Sequence, residues 1–412
     1  MTVTIGGGVF LLPVYATEAL GAAAWMAYVL CALIFALVVA CFAEAGSRVE
    51  LTGGPYAYVT QAFGPYWGYL TGVLLLMFAT IANSAVIAGL TNTVNALVPG
   101  AGTGVSRTLI LLVTLGTFAF INVRGVRQAA RTVEIGTVAK LVPLLFLGIF
   151  GLFFVKAANL AWPGMPPGGT VLRTTMVMMF AFFGMESALV PSGEVRDAAR
   201  TVPRAIYIGL GIVTLVYLSV QQAAQGILGP ELLEHKDAPL AAAAGRAFGH
   251  WAELMLIVGA AISMIAYTSG MMLALPRTYF ALAADGYLPR ALARVHPHTH
   301  APANAIITYA MIVFLLSATG RFEQLLVLAN VGALLMYLVC CLAVIGLRRR
   351  NVRLAADPFV PPAAAIVPWL AAAAIAALLF TVTLREFAWI GVVMGAATVV
   401  YVIRGRRVPA AA

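Results

Sequence analysis

Residues 1–16 read MTVTIGGGVFLLPVYA, and in them three consecutive glycines, Gly6, Gly7 and Gly8, interrupt an apolar segment almost as it begins. Glycine costs a helix interior about 1 kcal/mol relative to alanine. Three in a row inside a hydrophobic helix therefore mark a place where the helix breaks. A second apolar stretch is interrupted in the same manner: residues 174–195, TTMVMMFAFFGMESALVPSGEV, carry Gly184, Met185, Glu186 and Ser187 in mid-run.

Both breaks lie in a chain built for lipid. Of 412 residues, 62% are hydrophobic and 10% charged, against roughly 25% charged in soluble domains. No Asp, Glu, Lys or Arg occurs from Leu51 to Ser106, from Ala205 to Pro230, from Leu254 to Pro276 or from Pro358 to Leu384. Runs of that length span a hydrocarbon core about 30 Å thick. They lack the alternation of a membrane barrel, so they read as helices whose backbone groups are satisfied internally. The four cysteines, Cys31, Cys41, Cys340 and Cys341, fall within apolar spans and read as small hydrophobes, without the spacing of a disulfide framework or a metal site. The first segment has no basic leader region and continues into a polytopic chain, unlike a secretion signal.

Spans are expected at 1–20, 22–46, 64–98, 107–122, 126–155, 171–197, 204–228, 250–283, 301–319, 323–347, 362–383 and 387–404, giving an all-α integral membrane protein with about twelve transmembrane helices. With the N-terminus cytoplasmic, seventeen basic residues fall inside and seven outside, which satisfies the positive-inside rule and places both termini in the cytoplasm. The net charge of +10 then records topology and lipid contact, and it gives no reason to expect a nucleic-acid partner. Lys140, one of three lysines, is stranded inside the fifth span.

Spans one and six, the broken ones, head two successive groups of five. A matched pair of interrupted helices points to inverted-repeat transporters. Unwinding frees N–H groups at the start of one half-helix and C=O groups at the end of another, which suit an anionic and a cationic group respectively. An amino acid carries both. Small residues also let membrane helices pack closely, so the pairing of the two breaks carries the argument.

Four blocks, GGGVFLLP (6–13), FAEAGSRVELTGGPYAYVTQAFGPYWGYLTG (42–72), FAFFGMESALVPSGEVRDAARTVPRAI (180–206) and RTYFALAADGYLPRALARVHPHTHAPANAI (277–306), resemble the signature segments of the amino acid–polyamine–organocation superfamily of permeases. The resemblance implies a 5+5 inverted-repeat core with broken helices 1 and 6 plus two peripheral helices: a first repeat over 1–155, a second over 171–347 and a peripheral pair over 362–404. It implies secondary active transport by alternating access across the inner (plasma) membrane. By position, the resemblance places a substrate carboxylate on the amides of the Gly6–Gly8 break, at Gly7 and Gly8, and an ammonium on carbonyls near Thr4, Ile5, Phe180 and Phe183. It places Phe180 as an aromatic lid, and Phe78, Ala79, Asn83 and Met271 around the substrate side chain. Those residues are small or apolar except Asn83, so an unpaired charge buried among them would be costly. The expected substrate is a neutral, apolar L-amino acid.

The resemblance also places Lys140 where sodium-coupled relatives hold an ion beside the helix 1 break. A lysine held out of water gives up its proton more readily, so sodium-independent transport coupled to protons through Lys140 is the expectation, with snorkelling to the interface as the plain structural alternative. Glu186 matches a gating position and equally suits the cap of a half-helix. Three histidines, His296, His298 and His300, alternate in a loop without acidic or cysteine partners, a weak metal pattern; no metal and no cofactor are expected. Walker A, HExxH and GxSxG motifs are missing, so the chain reads as no enzyme. A half-helix reaching from the break to the membrane surface takes about 10 residues, and five precede Gly6, so a start further upstream is expected. Two alternatives stay open: a polyamine carrier or amino-acid exchanger of the same fold, and a non-transporting membrane receptor or subunit.

Overall fold

The computed structural model of the chain describes residues 5–49, 54–124, 140–162, 164–184, 198–296, 299, 301–353 and 358–405. Thr4, Met185, Glu186, Ser187, His298 and His300 lie outside the described residues. Among the described residues all regular structure is helical. In chain order the helices are α1 (Gly8–Leu20), α2 (Ala24–Arg48), α3 (Pro55–Phe63), α4 (Pro65–Leu97), α5 (Gly104–Arg124) and α6, described over Lys140–Phe154. Then follow α7 (Gly168–Met178), which tightens into a 3-10 turn over Met179–Phe182, α8 (Ala198–Leu228), α9 (Pro239–Phe248), α10 (His250–Ala284), α11 (Ala303–Thr319), α12 (Phe322–Arg349), α13 (Val367–Leu379) and α14 (Leu384–Gly405).

Seven stretches among the described residues, counting α1 and α2 as one, are long and apolar enough to cross a membrane, and α6, α11 and α13 are shorter apolar helices. Each span expected from the sequence contains a helix among the described residues; residues 126–139 of the fifth and 185–197 of the sixth lie outside them. Burial sorts them: α4 and α12 are mostly enclosed by protein, while α5 and α14 turn most of their surface outward to where lipid lies. Helix α4 sits centrally, packed on α10 and α12, and α2 packs on α8 and α12.

Two helices, α3 and α9, were not anticipated. Each begins with a proline at its first position, Pro55 and Pro239, where a missing N–H costs nothing. Each ends at a glycine that opens the next long helix: Gly64 with φ 98° and ψ 173° before α4, and Gly249 with φ 90° and ψ 178° before α10. A side chain at that φ is strained, so the same glycine corner is built twice. Both short helices hide from a hydropathy reading because they run flush into the long ones that follow.

Polar contacts join residues that the charge distribution had put on the same side. Glu44 at the end of α2 is fully buried and bonds Arg48 (2.8 Å) and, from the end of α12, the Nε of Arg348 (2.7 Å). At the opposite end, Arg107 of α5 donates to the carbonyls of Ser317 and Gly320, and Arg173 of α7 grips Glu386 of α14 through both carboxylate oxygens.

Candidate functional site

Helix α1 does not extend back through the glycines. Residues 5–7 are bends, and the helix starts at Gly8 with Gly7 as N-cap and no side-chain cap. Its first-turn N–H groups therefore form an uncapped, partly positive helix end. The carbonyls just before it are engaged. Ile5 O accepts from the Lys140 ammonium at 2.6 Å, and the Ser263 hydroxyl of α10 lies 3.1 Å from Ile5 O and 3.2 Å from Gly6 O. Lys140 is fully enclosed, with 0% of its surface exposed.

Helix α7 ends on the facing side. After the 3-10 turn, Phe183 is extended (φ −60°, ψ 150°) and Gly184 has φ 96°, which stops the helix. Some of its last carbonyls are taken up by side chains. Asn330 Nδ2 of α12 donates to Met176 O (2.7 Å) and Val177 O (3.1 Å), and the Tyr217 hydroxyl of α8 donates to Ala181 O (2.8 Å).

The two breaks touch. A Cβ placed on Gly8 would lie 3.2 Å from Ala181 Cα and 3.2 Å from Phe180 Cδ1. On the other flank, Met264 of α10 covers Gly7 and Tyr267 covers Gly6. A positive helix end, a negative helix end and a lysine thus meet within one buried region. Overpacking such a contact costs about 1–3 kcal/mol. Gly8→Val is accordingly expected to lower the midpoint of thermal unfolding in detergent, Gly8→Ala to do so less, and Gly116→Ala, inside α5 where a Cβ meets nothing within 4 Å, to raise it slightly.

Of the residues picked from the sequence, Ile5, Gly6, Gly7, Gly8, Phe180 and Lys140 come together at the break. Phe183 links Phe180 (ring centroids 6.1 Å apart) to Phe78 of α4 (5.3 Å), with Ala79 buried next to Phe78. Asn83 is turned toward α11, donating to the Tyr309 hydroxyl at 2.9 Å; its Oδ1 is buried with no hydrogen-bond partner among the described residues. Met271 is partly buried on α10, one turn beyond Tyr267. Thr4 and Glu186 lie outside the described residues.

The structure adds Ser263, Met264 and Tyr267 of α10, Tyr217 of α8 and Asn330 of α12. The signal of Ser263, Tyr217 and Asn330 in the sequence is faint: isolated polar side chains within apolar runs, which in a membrane helix have reason to face protein; Met264 and Tyr267 have no such signal. A polar chain reinforces the same region, with Tyr28 donating to Gln221 Oε1 (3.1 Å) and Gln221 Nε2 donating to Thr17 Oγ1 (2.9 Å), joining α1, α2 and α8.

Comparison with known proteins gives the geometry its context. Residues 1–403 match a family described as amino acid permease. An uncharacterized transporter of Mycobacterium tuberculosis (strain H37Rv) is 29% identical over 339 residues, covering 81% of this chain and 75% of the relative. A vacuolar cationic amino acid transporter 4 of Arabidopsis thaliana is 26% identical over 369 residues, covering 84% of this chain and 61% of the relative. The branched-chain amino acid permease BcaP of Bacillus subtilis (strain 168) is 26% identical over 386 residues, covering 89% and 82%.

Proposed function

The chain belongs to the amino acid permease family, a multi-pass membrane transporter of amino acids and no enzyme, and on that premise we propose that it carries neutral, apolar L-amino acids across the plasma membrane by alternating access, without sodium and with protons as the coupling ion. The observation that carries this reading is the Lys140 ammonium on Ile5 O. A protein-borne cation there occupies the carbonyls that a metal cation would otherwise need, and a buried lysine can exchange a proton where sodium cannot act.

In this reading the carboxylate sits on the amides of Gly7 and Gly8 and the ammonium near the end of α7, with Ile5, Phe180 and Phe183 around it. Phe78, Ala79, Asn83 and Met271 enclose the side chain, while Thr4, Gly6 and Glu186 complete the break and its gate. The relatives' printed names include both cationic and branched-chain substrates, so the choice rests on charge. Among the described residues the buried carboxylate is Glu44, and it is committed to Arg48 and Arg348. Among the described residues around Phe78, Ala79, Asn83 and Met271 there is no carboxylate for a cationic substrate side chain, which would be costly to bury unpaired.

The twice-built glycine corner supports two inverted repeats, 1–155 and 171–347, with 362–404 peripheral: α3 and α9 occupy equivalent places after α2 and α8. The excess of basic residues on one side argues for both termini being cytoplasmic. The test is uptake of labelled leucine into vesicles with sodium omitted, competed by a panel of amino acids. Leucine, valine and alanine should compete and uptake should persist. Strongest competition by arginine or agmatine, or an absolute need for sodium, overturns the reading.

A further inference from the structure

We propose that Phe322 is a gating residue for transport, the second layer of an aromatic lid that shuts the α1–α7 break from the outer face; the word "outer" rests on the orientation proposed above. Phe322 opens α12 at the boundary of the membrane region, and its neighbours Arg321, Glu323 and Gln324 are all exposed. Its own side chain is nevertheless folded inward, with 4% of the residue accessible. The first residue of a surface-starting helix needs a reason to be buried.

Its contacts supply one. The ring lies 6.1 Å from Phe180 in an edge-on arrangement (86°) and 6.3 Å from Tyr15 of α1. On α4, a Cβ added to Gly89 would come within 3.4 Å of it and within 2.7 Å of Leu11. Phe322 therefore touches three of the elements that surround the break: α1, the end of α7 and α4. The order of groups runs Gly8, Phe180, Phe322, Tyr15, so a solute entering from the outer end of α1 meets Phe322 before Phe180. A single ring resting on Gly8 leaves one rotamer change between solvent and site; a second ring behind it makes closure depend on the position of α12 as well.

The turn that carries Phe322 is held in place. Gln324 Oε1 accepts from the Arg321 N–H at 3.5 Å, and Arg107 of α5 holds the carbonyls of Ser317 (2.7 Å) and Gly320 (3.0 Å) from the preceding turn. Opening toward the outer face requires the ring to leave its groove between Tyr15 and Phe180. An ordinary core residue would stabilise the fold without controlling access from one face, and that difference can be measured.

The experiment places a reporter thiol under the lid as Ala181→Cys, with Leu11→Cys as a second probe, in a chain whose Cys31, Cys41, Cys340 and Cys341 are alanine. Reaction with a membrane-impermeant cationic thiol reagent is followed in right-side-out and inverted vesicles, with Lys156→Cys, an exposed residue, reporting orientation. Phe322→Ala should speed modification from the face on which Lys156→Cys reacts by about tenfold or more and leave the opposite face unchanged. Phe322→Leu, which still fills the groove, should stay close to the parent. Equal rates in parent and Phe322→Ala, or equal acceleration from both faces, overturns the gate. If Lys156→Cys reacts only in inverted vesicles, the orientation is overturned, while acceleration on that same face upholds the lid. Should the cysteine-free background fail to insert, the native thiols are retained and the modified position is read by peptide mass spectrometry.

Discussion

Replacing Lys140 by methionine is expected to cut proton-driven amino acid uptake by about 10- to 100-fold, the equivalent of a charge-assisted hydrogen bond. Methionine matches the length and apolar stem of lysine, so packing against α1 is largely kept. The ammonium on Ile5 O is lost, and of the two donors recorded at that carbonyl only Ser263 remains. The carbonyls of the α1 break are then free to close on themselves or to reorient, and the amides proposed to receive the substrate carboxylate move with them. Uptake into vesicles under an imposed pH gradient, with and without sodium, is the measurement. The variant should respond to neither gradient. Uptake equal to the parent would remove Lys140 from the coupling mechanism and leave it a packing residue.

The second large effect is on stability. Glu44→Gln keeps the shape of a side chain that is fully buried between two guanidinium groups, Arg48 and Arg348. It removes the negative charge that both depend on. Breaking a buried pair costs about 3–5 kcal/mol; the lower end, about 3 kcal/mol, is expected because the Arg348 side chain keeps 25% of its surface exposed. The unfolding midpoint in detergent should fall clearly. Combining Glu44→Gln with Arg348→Gln should cost less than the sum of the two single changes, as it does for residues in one network. Additive losses would mean that Glu44 acts through Arg48 alone.

Much of this architecture could be read before any coordinates. Three adjacent glycines announced the first break, and Gly184 the end of α7, while Met185, Glu186 and Ser187 lie outside the described residues. The charge-free runs announced the spans, because lipid tolerates little else. Lys140 stood out for the same reason. What stayed hidden was hidden by that apolarity. Where both lipid and protein neighbours demand hydrophobic side chains, a helix loses the periodicity that marks its inward face, so Met264 and Tyr267 look like any other residues of α10. Ser263 and Asn330 are single polar groups whose roles depend on carbonyls far away in sequence. For Asn83 the position on α4 was legible but the direction was not: Tyr309 of α11 holds its amide. Helices α3 and α9 were missed because a proline start and a glycine end resemble a loop when read locally.

The grip of Arg173 on Glu386 has a mechanical corollary. Near its start, α14 is tied to α7 by that pair. Further along, Thr398 of α14 shares a hydrogen bond with Tyr66 of the central α4, and Tyr401 packs on Tyr69. Helix α14 is thus a strap between α7 and the central α4. If the proposed alternating access moves α7 against α4, that strap is stretched or dragged sideways through lipid, and the thickness and stiffness of the bilayer then bear on the rate of the motion.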